Sequence, residues 1–559
     1  MIHEADTIVE IFCRRVDSDG PRPALGVKRA GQYHWFTWSD LAGQVAAATA
    51  ALVRLGVQPG DRVAQVSENR HEWVIADLAI QMSGAIHVPI HAPLAGPQIA
   101  WQIRHSLAKV ALLSGPSQAA KLAALGEDCP ANVNWVAFDP CAERLAGAPI
   151  HTWSNVVSAA DLAEGIAAGS MSRHRTAPES LATILYTSGT TGEPKGVMLS
   201  QHNLASNCLG TIDAFGAVED DLRLNFLPLS HIFARTCDLY VWIAGGTRMA
   251  LAESRETVIA DCQAVRPTYF NGVPHFYDRV YRGLADKGVA QQPGIVKGLL
   301  GGQIRHCCSG GAALPDHLFD YFHGQGVPLL QGFGLSETSP VITVSSEQAY
   351  RRGSCGRPIR GVELRIADDG EILTRGPHVM PGYYANPAAT AEVLRNGWLA
   401  TGDLGRIDDG GFLYITGRKK ELLATLGGKK VAPVFLEGLL TQDPLVLQAL
   451  VVGDGRPCLA ALVVPNPDAL RAEIAARGIL VASPAEALAH PAVRALYAER
   501  IAARLAGVSH YEQVRRFALL PRGFSIEAGE MTAKLSLRRK VIEEHFAAEI
   551  DALYATPVE

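Results

Sequence analysis

Residues 184–197 read ILYTSGTTGEPKGV. An apolar run ends in a loop where Thr187, Ser188, Thr190 and Thr191 alternate with Gly189 and Gly192, and Lys195 and Gly196 close it. Glycines let backbone N–H groups approach an anion closely, hydroxyls donate to phosphate oxygens, and a lysine adds charge. The loop is suited to a polyphosphate. It is not the usual P-loop, because G-x-x-x-x-G-K-[ST] does not fit it.

Outward from this loop the chain alternates helix and strand. Residues 36–56 place Leu41, Val45, Ala48 and Leu52 at helical spacing, and Gly56, Gly60 and Asp61 mark a turn. Residues 62–67 (RVAQVS) predict a strand, 72–84 a helix and 85–90 a strand. The alternation continues to about residue 275, which predicts α/β layers with a largely parallel sheet. Between 354 and 415 short β-prone pieces (362–366, 371–374, 411–415) stand between Gly, Pro and Asp pairs and predict a smaller β-rich subdomain. After Gly417 a basic RKK run leads into further strands, at 449–452 and 459–464, and helices at 484–506 and 535–553. The expected fold class is therefore α/β: a large N-terminal domain of α/β layers plus the β-rich subdomain (1–416), then a small α+β C-terminal domain (417–559).

A chain of 559 residues is too long for one core, so two or more domains are expected. With 48% hydrophobic and 19% charged residues the composition is that of an ordinary globular protein. A formal net charge of −5 makes nucleic acid an unpromising partner. Ten scattered cysteines without a C-x-x-C pair argue against a zinc site or a disulfide scaffold and suit a reducing cytoplasm. The first residues, MIHEADTIVEIFCRRV, carry acids early and lack a long apolar run, so no signal peptide is expected. No apolar stretch is long enough to span a bilayer.

Four further segments accompany the loop: GFGLSET at 332–338, WLATGDLG at 398–405, GRKKELL at 417–423 followed by GGKKVAP at 427–433, and EMTAKLSLRRK at 530–540. Taken in this order they resemble the adenylate-forming superfamily of acyl-CoA synthetases, luciferases and peptide-synthetase adenylation domains. The resemblance covers about residues 20–550. FLPLSHIF (226–233) and RPTYFNGVP (266–274) resemble its long-chain fatty acid branch most. It implies a fatty acid–CoA ligase for medium to long chains, with ATP, Mg²⁺ and CoA. The alternatives are an acyl-AMP ligase that loads a carrier protein, or a non-catalytic acyl- or nucleotide-binding relative.

The roles it implies fall on named residues. The loop from Thr187 to Lys195 would hold the β- and γ-phosphates. Glu337 and the Thr187 hydroxyl would hold the metal, and oxygen ligands suit Mg²⁺. Thr338 would contact the α-phosphate. Gly332, Phe333 and Gly334 would lie on one side of adenine, with Ser309, Gly310, Gly311 and Ala312 on the other. Asp403 and Arg418 would bind the ribose, and His231 would sit beside the reacting carboxylate. Lys420 would be the pivot of a mobile C-terminal domain, and the 427–430 segment would line a pantetheine tunnel. The usual C-terminal lysine, aligned without gaps on 529–532, falls on Ser536. Lys534 lies two residues earlier on the same side of an extended segment and is the expected catalytic lysine. A greasy substrate is compatible with peripheral contact at the inner membrane face. The sequence leaves oligomeric state open.

Overall fold

The computed structural model describes residues 7–157, 176–187, 194–216, 220–426, 430–525, 528–531 and 537–555. Ser188, Gly189, Thr190, Thr191 and Gly192, the 427–429 segment, Lys534 and Ser536 lie outside the described residues.

Two nine-stranded sheets make the large part of the molecule. The first is parallel through Arg62–Val66, Ile86–Ile90, Ala108–Leu113 and Asn134–Ala137, and adds Leu181–Thr187 beside Ile86–Ile90. Its far edge turns antiparallel, where Lys195–Ser200 pairs back on Leu181–Thr187. The second sheet is parallel through Arg248–Leu251, Leu222–Asn225, Tyr269–Gly272, His306–Ser309 and Leu329–Gly334. This layered α/β class is the expected one.

Local chemistry sets the elements. Thr37 caps the helix Trp38–Arg54: its hydroxyl accepts from the Asp40 N–H at 3.1 Å, and the Asp40 carboxylate accepts from the Thr37 N–H at 2.8 Å. Leu41, Val45, Ala48 and Leu52 recur on one face and are all buried. Each such Leu or Val contributes about 1.5–3 kcal/mol relative to exposure. Trp38 opens this face and stacks on Trp242 at 4.7 Å, tying the helix to the segment beside the second sheet.

A five-stranded sheet follows, with Glu363–Ile366, Glu371–Arg375, Trp398–Ile407 and Leu394–Arg395 in line and Leu413–Arg418 paired to Trp398–Ile407. Residues 416 and 417 lie inside the strand Leu413–Arg418, and the chain leaves the sheet through the turn Lys419–Glu421. Beyond it, Val446–Val452, Leu459–Pro465 and Val514–Leu519 form a three-stranded sheet. Leu436, Leu496 and Tyr497 pack on one side of it, and Ile542, Phe546 and Ile550 on the other.

Two expected helices differ. The span 484–506 is two helices, Pro484–Ala489 and Pro491–Arg504, because His490 precedes a proline and adopts an extended conformation (φ −64°, ψ 128°). In the span 535–553, described from Leu537, the helix begins at Arg539 and breaks at Phe546 (φ −113°) into Arg539–His545 and Ala547–Tyr554. Among the described residues no helix is long and apolar enough to cross a membrane.

Candidate active site

A cleft of about 3640 Å³ opens where the C-terminal ends of the second sheet's strands, the five-stranded sheet and the C-terminal part face one another. Crevices at strand C-termini are the usual ligand sites of open α/β sheets.

The phosphate-loop residues reach the cleft from the antiparallel edge of the first sheet. Thr187 ends its strand directly opposite Lys195, and its hydroxyl points at the Lys195 carbonyl 3.5 Å away. The Lys195 ammonium lies 5.0 Å from the centre of the Tyr383 ring. The Tyr383 hydroxyl in turn donates to Glu337 Oε1 at 2.8 Å. Burial, with the Glu337 carboxylate beside it, pushes the Tyr383 phenol up, so it stays protonated and remains a donor. Backbone pairing supports this corner: the Met380 N–H donates to the Glu337 carbonyl at 2.9 Å and the Tyr384 N–H to the Gly196 carbonyl at 2.7 Å. Thr187, Lys195, Glu337 and Tyr383 all line the cleft.

Thr338, next to Glu337, does not line it. It is fully buried, and its hydroxyl donates to the Pro340 carbonyl at 2.6 Å and accepts from the Leu335 N–H at 2.9 Å.

Two parallel strands deliver the adenine-side residues. Ser309 ends His306–Ser309 and stands opposite Gln331, so Gly310, Gly311 and Ala312 leave the sheet beside Gly332, Phe333 and Gly334. Ser309 is 1% exposed, and its hydroxyl has no partner. Gly310 lies close under the Phe233 ring: a Cβ there would stand 3.0 Å from that ring, so the ring would have to shift. His231 caps the short helix Ile232–Ala234, accepting from the Phe233 N–H at its Nδ1 (3.3 Å). That bond leaves the ring proton on Nε2 when the imidazole is neutral.

Asp403 and Arg418 are cross-strand partners of the five-stranded sheet. Asp403 Oδ1 accepts from Arg418 Nε at 2.8 Å, while Oδ2 is buried and has no partner. Burial pushes the Asp403 carboxyl up to about 6, against the pull of Arg418. One strand-end later, Lys419 bonds Asp369 at 2.6 Å and Glu371 at 2.7 Å, pinning the exit of the chain.

Around Lys534 the described residues give the ends of the segment. Met531 and Leu537 form an antiparallel bridge, and both line the cleft. Glu530, fully buried, receives both Arg522 terminal nitrogens (2.7 and 2.8 Å) and pairs with His545 at 2.9 Å. The Arg522 bonds overcome burial and hold the Glu530 carboxyl down at about 2.

Two features escaped the sequence reading. One is Tyr383, which joins Lys195 to Glu337. The other is a buried hub on Arg235, four residues after His231. Its Nη2 meets Asp77 Oδ1 at 2.5 Å, and its Nη1 donates to the Thr183 hydroxyl at 2.7 Å. Asp77 also pairs with His87 at 2.6 Å and accepts from Tyr240 at 3.0 Å. Burial first, then Arg235, pushes His87 down to about 4, so it is neutral at physiological pH. Arg235 thus joins the segment of His231 to the strand that carries Thr187. No signal in the local sequence connects positions 77, 87, 183 and 235. Among the described residues no cluster of three or more His, Cys, Asp or Glu side chains could hold a metal ion.

Comparison with known proteins gives the family. The family model for the AMP-binding enzyme matches residues 12–384, and the model for the AMP-binding enzyme C-terminal domain matches residues 420–557. The long-chain-fatty-acid–CoA ligase FadD15 of Mycobacterium tuberculosis is 34% identical, over 93% of this chain and 92% of its own. The peroxisomal long chain acyl-CoA synthetase 7 of Arabidopsis thaliana is 28% identical, over 99% and 85%. Among solved structures, the anthranilate CoA ligase AuaEII in complex with anthranoyl-AMP superimposes with a TM-score of 0.76 at 21% identity, covering 99% of each chain. ATP-bound MatB from Rhodopseudomonas palustris gives 0.73 at 23%, covering 96% and 99%. A matching first domain over more than half the sequence, and FadD15 at this identity over nearly all of it, establish that the chain belongs to the AMP-binding enzyme family, in its long-chain acyl-CoA ligase branch.

Proposed function

We propose that this protein activates a medium- to long-chain fatty acid with ATP and passes the acyl group to CoA. The observation that carries the reading is the gathering of Asp403 and Ser309, each with a buried oxygen that has no partner, along one cleft with Lys195, Thr187 and Glu337. A buried polar atom without a partner is costly, and a nucleotide supplies donors for both. Ribose hydroxyls would donate to Asp403 and adenine would meet Ser309, with Phe333 on its other face and Arg418 donating to the sugar. The likeness to FadD15 supports the fatty acid and the CoA.

A carboxylate is a poor acyl donor because oxide is a poor leaving group. In the first step a carboxylate oxygen attacks the α-phosphorus, the α–β bridging P–O bond breaks, and pyrophosphate leaves. In the second a thiolate attacks the acyl carbon and AMP leaves with both electrons of the C–O bond. The carboxylate is already ionised at neutral pH, so the first step needs no base; it needs positioning and charge neutralisation. Lys195 supplies positive charge on the pyrophosphate side. Lys534 would supply it at the acyl-phosphate, and His231 would orient the carboxylate.

Glu337 and the Thr187 hydroxyl are hard oxygen donors, a set that fits Mg²⁺. When bound there, the ion would neutralise phosphate charge. The Tyr383 hydroxyl fixes one Glu337 oxygen by donating to it. We assign the chain after Arg418 to a mobile domain that pivots near Lys420. All ten cysteines are free thiols, which supports work in a reducing cytoplasm. The greasy substrate would bring the protein to the inner membrane face as a peripheral visitor.

The test is a panel of carboxylates with ATP, Mg²⁺ and CoA, scored for AMP and pyrophosphate. Release of ADP and phosphate would sink the proposal. Carboxylate-dependent AMP release that needs a carrier protein and ignores CoA would replace the acceptor.

A further inference from the structure

The same cleft extends away from the reacting end along one face of the second sheet, and its floor is polar. Register fixes the rows. Arg223 stands opposite Tyr269, and Tyr269 opposite His306. Gly272 and Ser309 form another row three residues further on, directed to the other face of the sheet, about 10 Å along the strands at 3.3 Å per residue. The Ser309 row adjoins the nucleotide, so the Arg223–Tyr269–His306 row is the far end. All three line the cleft.

This far end carries hydrogen-bonding groups. The Arg223 guanidinium carbon lies 4.5 Å from the Tyr269 ring centre, and His306 is stacked between Tyr269 (5.7 Å) and Phe215 (5.5 Å). Arg223 is 2% exposed, and its Nη1 donates to the carbonyls of Cys237 and Asp238. Its Nε has no partner. Among the described residues the Tyr269 hydroxyl has no hydrogen-bond partner either. Burial pushes His306 down, so the ring is neutral; Nδ1 carries the proton to Glu347 at 2.6 Å, and Nε2 keeps a lone pair. Phe233, Cys237, Val341 and Val344 pack as a small apolar cluster and also line the cleft.

A methyl-ended chain that reached this row would cover the Tyr269 hydroxyl and leave it without a partner, which is the costly arrangement. Charge narrows the choice. The Arg223 cation faces the buried Asp238, whose two oxygens accept from Asn225 (2.8 Å) and Asn271 (2.7 Å). Asp221 pairs with Arg305 at 2.7 Å. With the Glu347 carboxylate on the neutral His306, the row carries no excess of positive charge. We propose that the acid this enzyme prefers is a medium-chain one bearing a neutral oxygen function, a hydroxyl, at its far end. The hydroxyl would accept from Tyr269 and donate to His306 Nε2. This inference rests on the ligase reading and specifies its substrate class.

The experiment compares decanoate, ω-hydroxydecanoate and decanedioate with the full-length protein, ATP, Mg²⁺ and CoA. The expected kcat/KM for ω-hydroxydecanoate exceeds that for decanoate about tenfold, the worth of one well-made hydrogen bond. In Tyr269→Phe, which keeps the ring, the ratio collapses towards one. Equal or faster use of decanoate by the wild type overturns the inference, as does a ratio that survives Tyr269→Phe. Preference for decanedioate overturns the choice of a neutral group. If no acid yields AMP, it is the ligase reading that falls. Calorimetric binding of the same acids then decides the chamber: tighter ω-hydroxydecanoate upholds it, and equal or weaker binding overturns it.

Discussion

Asp403 and Arg418 face each other across one antiparallel ladder, joined by a single 2.8 Å hydrogen bond that leaves the second Asp403 oxygen buried and unpartnered. The arrangement keeps one acceptor in reserve, and its cost shows in the carboxyl, which burial lifts from 3.8 to about 6. Asp403→Asn should weaken AMP binding by about 10- to 100-fold, the worth of hydrogen bonds to a charged group, measured calorimetrically. In the wild type the affinity should rise as pH climbs through about 6 and the acceptor ionises; in the variant this dependence disappears. Stability moves oppositely. A carboxyl whose folded-state pKa is raised contributes stability that is lost as pH rises from about 4 to about 6. Asp403→Asn should therefore melt at a higher temperature than the wild type at neutral pH, without ligand. A lower melting temperature there would refute this.

Tyr383 reaches Glu337 from a neighbouring strand and cushions Lys195. Tyr383→Phe keeps the ring and removes the donor. Partners of metal-binding carboxylates set metal affinity, typically by tenfold or more. The Mg²⁺ concentration for half-maximal AMP release should rise by about that factor. An unchanged Mg²⁺ titration would mean that the tyrosine supports the fold and not the metal.

Arg235 is enclosed with Asp77, and removing the cation strands a buried carboxylate. Arg235→Met should cost about 3–5 kcal/mol in urea unfolding. Adding Asp77→Asn should recover part of it, because the second change removes the unpaired charge. A double variant less stable than the single one would overturn this account.

Lys534 and Ser536 make the sharpest comparison in the chain. Lys534→Ala should lower carboxylate-dependent pyrophosphate exchange by about 100-fold, the scale of losing one transition-state donor. Thioester formation from supplied acyl-AMP should persist, since the proposed pivot gives that step another arrangement of the domain. Ser536→Ala should stay close to wild type. Normal adenylation by Lys534→Ala would end the assignment.

Much of this site is legible in sequence because its parts are short contiguous motifs whose chemistry is local. Thr187 and Lys195 bracket a glycine-rich loop, and Asp403 sits in T-G-D; each can be recognised without knowing what faces it. What escapes is pairing across the fold. Tyr383 matters only because the strand Gly382–Tyr383 zips onto Lys195–Ser200, and Arg235 only because Asp77, His87 and Thr183 arrive from three other elements. No periodicity announces either. Thr338 illustrates the converse: its motif is legible, but its hydroxyl is engaged inside its own turn. The break at His490 was readable locally, because a residue before proline resists the α conformation.

The Asp403–Arg418 ladder has one more consequence. Arg418 is the last residue of its strand, and the turn that leads to the C-terminal part begins at Lys419. The contact proposed for the nucleotide sugar and the exit of the chain are thus one covalent unit. Thermodynamic coupling is reciprocal. Whatever free energy a bound ribose contributes towards one setting of that exit, the same setting returns as affinity for the ribose. On the proposed function the hairpin would therefore work as a two-way gauge, through which the occupant of the cleft and the posture of the distal domain each report on the other.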